Sequence, residues 1–261
     1  MQIALVIFAL FSLFWFLLQL FPPGSEFHSL FTHTYGLMAA WGGIQGLLVA
    51  RKWGWSKSIM GRSILMFSFG LLAQEFGQIA YSAYSVVLKL EEVPYPSLGD
   101  IGYFGSILFY IYGIYLLAQA AGVTVGLKSF KNKIQAIIIP SVLLLCSYTL
   151  FLHDYSFDWS IPLTILLDFG YPLGQAIYIS LAILTFLLSR GILGGVMKIK
   201  VLYILLALVM QYLADYVFLY QASRGTWYPG NFNEFMYLVS YFLMTVSIIQ
   251  LNTVLTRIKN G

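Results

Sequence analysis

The chain has 261 residues, 60% of them hydrophobic and only 9% charged, with a net charge of +4 and a mean hydropathy of +0.83. Soluble domains carry about 25% charged residues, so this composition excludes an ordinary water-soluble fold. It points to an all-α polytopic protein in a single transmembrane domain, 1–261, whose first partner is the lipid bilayer. The lone cysteine, Cys146, excludes an internal disulfide and a cysteine metal cluster, and its apolar neighbours predict a packed thiol. No basic groove or helix face is visible, so nucleic acid is not expected as a partner.

Eight apolar segments are each long enough to cross a hydrocarbon core, which takes roughly 20 helical residues. In chain order they are Ile3–Phe21, Phe31–Ala50, Arg62–Leu88, Asp100–Ala121, Ile134–Leu152, Asp168–Ser189, Val201–Tyr220 and Glu234–Thr253. The first lacks a basic leader and a small-residue cleavage site, so it is expected to stay as a helix. Pro22-Pro23-Gly24 then breaks it. Apolar character before the sixth segment starts at Ile161, which would bury Pro172 inside a long helix. A start near Asp168 places Pro172 in the first turn, where a missing N–H costs little. That start is the preferred reading, with Trp159–Leu167 as a short interfacial stretch.

The loops between these segments alternate in charge. Arg51, Lys52, Lys57 and Arg62 fall in one loop, Lys128, Lys131 and Lys133 in the next of the same kind, Arg190, Lys198 and Lys200 in a third, and Arg257 and Lys259 in the tail. The intervening loops hold Glu26, Glu91, Glu92, Asp100, Asp154, Asp158 and Glu234, with Lys89 and Arg224 as their only bases. Cytoplasmic loops retain Lys and Arg, so the basic loops are read as inside, the N-terminus as outside and the C-terminus as inside. The basic face is suited to anionic lipid or to a separate cytoplasmic or membrane partner.

The third and fourth segments share a plan with the seventh and eighth. Each pair has polar residues in the first helix (Glu75 and Gln78; Gln211 and Asp215), a Tyr-Pro loop, and an acid opening the second helix (Asp100; Glu234). A parallel 4 + 4 duplication, with halves 1–122 and 132–256, accounts for this.

Two sets of residues are candidates for chemistry. At the acidic-loop ends, Asp100 precedes Tyr103, Asp168 precedes Tyr171 and Glu234 precedes Tyr237, each by three positions, as Thr32 precedes Tyr35. Residues i and i+3 share a helix face, so each acid should sit above its own phenol. Helix capping with an aromatic belt explains this pattern; so does an acid-and-phenol-lined mouth. The second set, Glu75, Gln78, Gln175, Gln211 and Asp215, lies within the apolar segments. Such side chains face a bundle interior. No base is available at the depth of Glu75, so it is expected to be protonated, bonded to an amide or phenol, or facing water. The set forms either an interhelical hydrogen-bond network or, with Tyr81, a ligand or ion site. His28, His33 and His153 match no standard metal-ligand spacing, no cofactor motif occurs, and no metal or cofactor is expected. The glycines Gly42, Gly43, Gly46, Gly102 and Gly105 are expected at close helix crossings.

One stretch resembles a known family. Gln78–Leu117, with Tyr81, Tyr84, Glu92-Val-Pro-Tyr-Pro-Ser-Leu-Gly-Asp100 and Ile101-Gly-Tyr103, is similar to the multi-spanning N-terminal sensor module of bacterial and archaeal signalling proteins, in which a Pro-Ser-x-(Ala/Gly)-Asp motif precedes a transmembrane helix. Asp168-Phe-Gly-Tyr-Pro resembles the module's later Asp-x-x-Tyr-Pro helix, and Ala214-Asp215 with Gly225–Glu234 resembles its final pair. In that family a histidine kinase, PAS or diguanylate cyclase domain follows. This chain stops shortly after its last predicted helix, so the resemblance implies a sensor-like or ligand-binding module, not itself an enzyme, that signals through a separate partner. Transport of a small solute or ion is the second expectation. An intramembrane lipid hydrolase using Asp215, Asp168 and Glu75 is the third.

Overall fold

The computed structural model describes residues 1–90, 93–123, 128–189 and 195–260. Glu91, Glu92 and Arg190 lie outside the described residues, as do the side chains of Lys198, Arg257 and Lys259. The described residues are helical with no strand. In chain order the helices are α1 (Gln2–Leu18), α2 (Glu26–Thr34), α3 (Leu37–Lys52), α4 (Ile59–Ser82), α5 (Leu98–Ala120), α6 (Phe130–Phe151), α7 (Pro162–Ser189), α8 (Gly195–Ser223) and α9 (Phe232–Asn260).

Local chemistry sets most of the boundaries. Ser58 caps α4 by accepting from the Gly61 N–H at 2.9 Å. Ser97 and Asp100 form a reciprocal capping box at the start of α5, and Asn231 Oδ1 accepts from the Glu234 N–H in the first turn of α9. α4 ends in a π-turn over Ala83–Val87. Two sequence expectations are corrected here. The second segment is not one helix, because the chain breaks at Tyr35–Gly36 between α2 and α3. The polar residues of α2 hold its own carbonyls, as where Thr34 Oγ1 donates to Leu30 O at 2.7 Å. The sixth helix starts at Pro162, so Pro172 lies in its interior and Pro162–Leu167 is helical rather than interfacial coil. The missing N–H of Pro172 removes the donor to the Asp168 carbonyl, and the Pro172 carbonyl takes up the Ser147 hydroxyl at 3.2 Å.

Neighbouring helices form a closed ring in the order α3, α4, α5, α7, α8, α9 and back to α3. Helix α1 packs outside the ring on α9 and α3, and α6 packs outside it on α7. Five helices are long and apolar enough to cross a membrane: α5, α6, α7, and the stretches Ile199–Ser223 of α8 and Phe232–Asn252 of α9. Helix α3 has 16 residues, a length of about 24 Å against a hydrocarbon core of about 30 Å. Helix α4 carries Arg62, Gln74, Glu75 and Gln78, which lower its hydropathy. Helix α1, with 17 residues, is likewise short, so three of the eight expected crossings fall short on length or hydropathy.

The placement of the termini is also corrected. Phe8 stacks on Phe242 with ring centroids 4.0 Å apart, and Trp15 on Phe235 at 4.5 Å. Helix α1 is therefore antiparallel to α9, and both chain ends lie at the same end of the bundle, with the basic loops. Opposite placement would require an odd number of crossings. Cys146 is exposed on the peripheral α6 rather than packed; most side chains of that helix face outward, with Ser147 buried against its neighbour.

Small residues let the ring helices approach. A Cβ on Gly102 would lie 2.5 Å from Gly77 N and 2.9 Å from Gly77 Cα, so α4 and α5 cross backbone against backbone. Gly42, Gly43 and Gly46 likewise meet Thr245, Leu72 and Ser68. Gly105 does not fit the expectation: nothing lies within 4 Å of its Cβ position. Gly102→Ala is expected to destabilise by about 1–3 kcal/mol, since backbone cannot rotate away, whereas Gly105→Ala should be neutral or mildly stabilising. Thermal unfolding of the two variants in the same detergent checks this contrast.

Candidate functional site

The ends of α2, α4, α5, α7, α8 and α9 that meet the acidic loops enclose a cavity of about 760 Å³. Toward the basic end the ring is filled by side chains that do not line it. Phe67, Leu71, Ile114, Leu117, Ile204, Leu208 and Ile248 are all 0% exposed. Of the residues singled out from sequence, Gln78, Tyr81, Asp100, Tyr103, Asp168, Tyr171, Gln175, Asp215, Glu234 and Tyr237 line the cavity. Glu75 and Gln211 do not.

The pairing of acids with phenols differs from the expected one. Each phenol reaches past the acid three residues before it to a group on another helix. Tyr171 donates to Asp100 Oδ1 at 2.7 Å, not to Asp168. Tyr237 donates to Asp215 Oδ1 at 2.8 Å, not to Glu234. Tyr103 donates to Gln78 Oε1 at 3.4 Å. The reason is helical direction: a side chain leans toward the N-terminus of its own helix but extends sideways across a close crossing, and here the neighbour is nearer than the turn above. Asp168 is satisfied by loop phenols instead, Tyr95 at 2.7 Å and Tyr155 at 2.8 Å. The hydrogen bond to Asp168 holds the Tyr155 phenol above its ordinary pKa, so this loop contact persists at neutral and mildly alkaline pH and is lost only when the phenol ionises.

Deeper in the ring two polar clusters face each other. Asp215 accepts from Tyr237, from Tyr178 at 3.1 Å and from Gln211 Nε2 at 3.1 Å, and Ser240 Oγ donates to Gln211 Oε1 at 3.0 Å. Across the ring, Gln74 Nε2 donates to Ser106 Oγ at 2.7 Å and its Oε1 accepts from Tyr241 at 3.1 Å. Gln78 Nε2 donates to the Thr32 carbonyl. Glu234 is buried, taking the Thr32 hydroxyl at 2.7 Å and the Gly230 N–H at 2.9 Å. Gln211 thus supports Asp215 from behind without reaching the cavity.

Glu75 is placed differently from the expectation of an internal cluster with Gln78 and α8. It is half-buried, its Oε2 is buried without a hydrogen-bond partner, and it lies against Gly36 at the α2–α3 break. The interior position on α4 belongs to Gln74. The trio expected of a hydrolase is accordingly not gathered, since Asp168 and Asp215 line the cavity and Glu75 does not.

Sequence reasoning missed several wall residues. Tyr95, Tyr155 and Trp227 come from loops, and Asn233 and Tyr241 from α9. Tyr241 had a usable signal, because it lies one turn beyond Tyr237 on the same face. The loop aromatics had none. The imidazoles are engaged locally, His28 with Ser25 at 2.8 Å and His33 with Ser82 at 2.9 Å. Among the described residues no three His, Cys, Asp or Glu side chains gather into a metal-holding group.

The chain matches no protein-family model, no curated protein and no solved structure.

Proposed function

We propose that this chain is a membrane-embedded, sensor-like module that binds a small ligand in the ring cavity and passes the event to a separate partner. The observation that carries the reading is the cavity itself: polar and aromatic at one end of the ring, with a tightly filled apolar core beneath it. Pockets of this size with a few convergent polar groups are the usual form of a ligand site. The similarity of Gln78–Leu117 to the sensor modules of signalling proteins supports the same reading, and a partner would dock on the basic face or along a helix.

In this proposal the chain crosses the membrane eight times, with both termini and the basic loops in the cytoplasm and the cavity facing out. The α2–α3 pair acts as one broken crossing. A 4 + 4 parallel duplication is supported by the matched clusters: Gln74, Gln78, Tyr103 and Ser106 in the first half, Gln211, Asp215, Tyr237 and Ser240 in the second. The second and sixth crossings also correspond in sequence, because Gly36 follows Tyr35 as Pro172 follows Tyr171, although only the first is broken and α7 runs unbroken through Pro172.

The duplication favours transport as a second reading, since many transporters are built from internal repeats with the binding site at the repeat interface. One experiment addresses both. In a Cys146→Ser background, Ala222→Cys at the cavity wall should react with an impermeant maleimide added to intact cells, while Leu208→Cys in the core stays shielded from either side. Labelling of position 222 only after permeabilisation would reverse the orientation. Labelling of position 208 from the cytoplasmic side would favour a through-path and hence transport.

A further inference from the structure

The described lining of the cavity contains four carboxyl groups, Asp100, Asp168, Asp215 and Glu234, and not one Lys, Arg or His. Arg224, which adjoins the wall residues Ser223 and Gly225 in sequence, lies on the Tyr220 ring, 4.6 Å from its centroid. Phenols, aliphatic hydroxyls, an amide and backbone N–H groups hydrogen-bond these carboxyls but carry no compensating charge.

A second, independent feature points the same way. Two buried amides on the wall have carbonyl oxygens without a donor among the described residues: Gln175 Oε1, on a residue 3% exposed, and Asn233 Oδ1, on a residue 0% exposed. The orientation of Asn233 is fixed, because its Nδ2 donates to the Ala214 carbonyl at 2.6 Å. A buried acceptor without a donor costs about 1–3 kcal/mol, and a ligand N–H removes that cost. The rest of the wall is largely ring faces and apolar side chains, including eight tyrosines and Trp227. Such faces attract an organic cation through the ring quadrupole. The carboxyls are spread around the wall and do not converge as ligands to an ion would.

From these features we infer that the cavity is a binding site for an organic ammonium ion: a protonated primary or secondary amine carried on an apolar or aromatic body. Its charge is balanced by the wall carboxyls, its N–H groups satisfy Gln175 and Asn233, and its body lies among the tyrosine rings. The inference rests on the ligand-binding reading above and names the class of ligand.

The full chain in lipid nanodiscs, titrated by calorimetry against empty nanodiscs, provides the test. Three probes share one body: phenethylammonium, the neutral 2-phenylethanol and the anionic 3-phenylpropanoate. The ammonium is expected to bind at least about tenfold more tightly than the alcohol, with the carboxylate weakest. Asp215→Asn should erase most of that preference while leaving alcohol binding unchanged. If that variant unfolds, Gln175→Leu, which removes a free acceptor and breaks no hydrogen bond of the fold, should weaken the ammonium several-fold and spare the alcohol. Equal affinity for ammonium and alcohol would overturn the inference and leave a ligand-binding cavity standing. Failure of all three probes to bind would overturn the inference together with the reading beneath it.

Discussion

Replacing Asp215 with leucine is expected to cost the fold about 2–4 kcal/mol, among the largest effects of any single change on the cavity wall. The carboxylate holds three donors from three directions: Tyr178 on α7, Tyr237 on α9 and Gln211 one turn below it on α8. Leucine leaves the fully buried Tyr178 hydroxyl and the Gln211 amide N–H with nothing to bond, while Tyr237, only partly buried at the cavity wall, can turn to cavity water. The lower part of the range applies because transmembrane hydrogen bonds are partly replaced in the unfolded membrane state. Asparagine retains one oxygen, so Asp215→Asn should cost about 1 kcal/mol and keep the ring assembled. Unfolding of the purified variants by graded denaturing detergent checks the order: wild type, then Asn, then Leu. A leucine variant as stable as wild type would show that Asp215 does not tie α7, α8 and α9 together.

The membrane character of this chain and ten of its cavity-wall residues were legible in the sequence for a common reason. Polar side chains are expensive in an apolar segment, so those present face inward, and Gln78, Gln175, Asp215 and Glu234 do so. What could not be read was partnership. The i, i+3 spacing correctly put Asp100 and Tyr103 on one face of α5, but the bonding partner of a phenol depends on which helix crosses nearby, and that is a property of the ring order. For the same reason Gln74 and Glu75, adjacent in sequence, were not separable. They differ by about 100° around α4, enough to send one to the ring interior and the other to the α2–α3 break. The kink-tolerant interior of α7 was misjudged because the energetic cost of Pro172 was reckoned within one helix. The acceptor left without its helical donor is the Asp168 carbonyl, while the Pro172 carbonyl is tied to two other helices by Ser147 and, at 3.4 Å, by Tyr216, which hold the proline in place.

Exchanging the two neighbours on α4 for apolar residues should therefore give opposite results. Gln74→Leu removes both the donor to Ser106 and the acceptor of Tyr241, cutting the tie between α4, α5 and α9. With Tyr241 buried at 3% exposure, its hydroxyl is left stranded, and a loss of about 2–3 kcal/mol is expected. Glu75→Met keeps an unbranched chain of similar length beside Gly36 and takes away an oxygen that is buried without a partner. Removing such a group releases its desolvation cost, so stability should be unchanged or raised by about 1 kcal/mol. The unfolding midpoints of the two variants in the same detergent decide the matter. If Glu75→Met falls as far as Gln74→Leu, then Glu75 has a bonding partner at the α2–α3 break, and the acid belongs to the structural network after all. If it is stable but the binding or labelling behaviour of the cavity changes, the carboxyl is retained for the helix break beside Tyr35, one of the cavity's own wall residues, and acts on the site through that break.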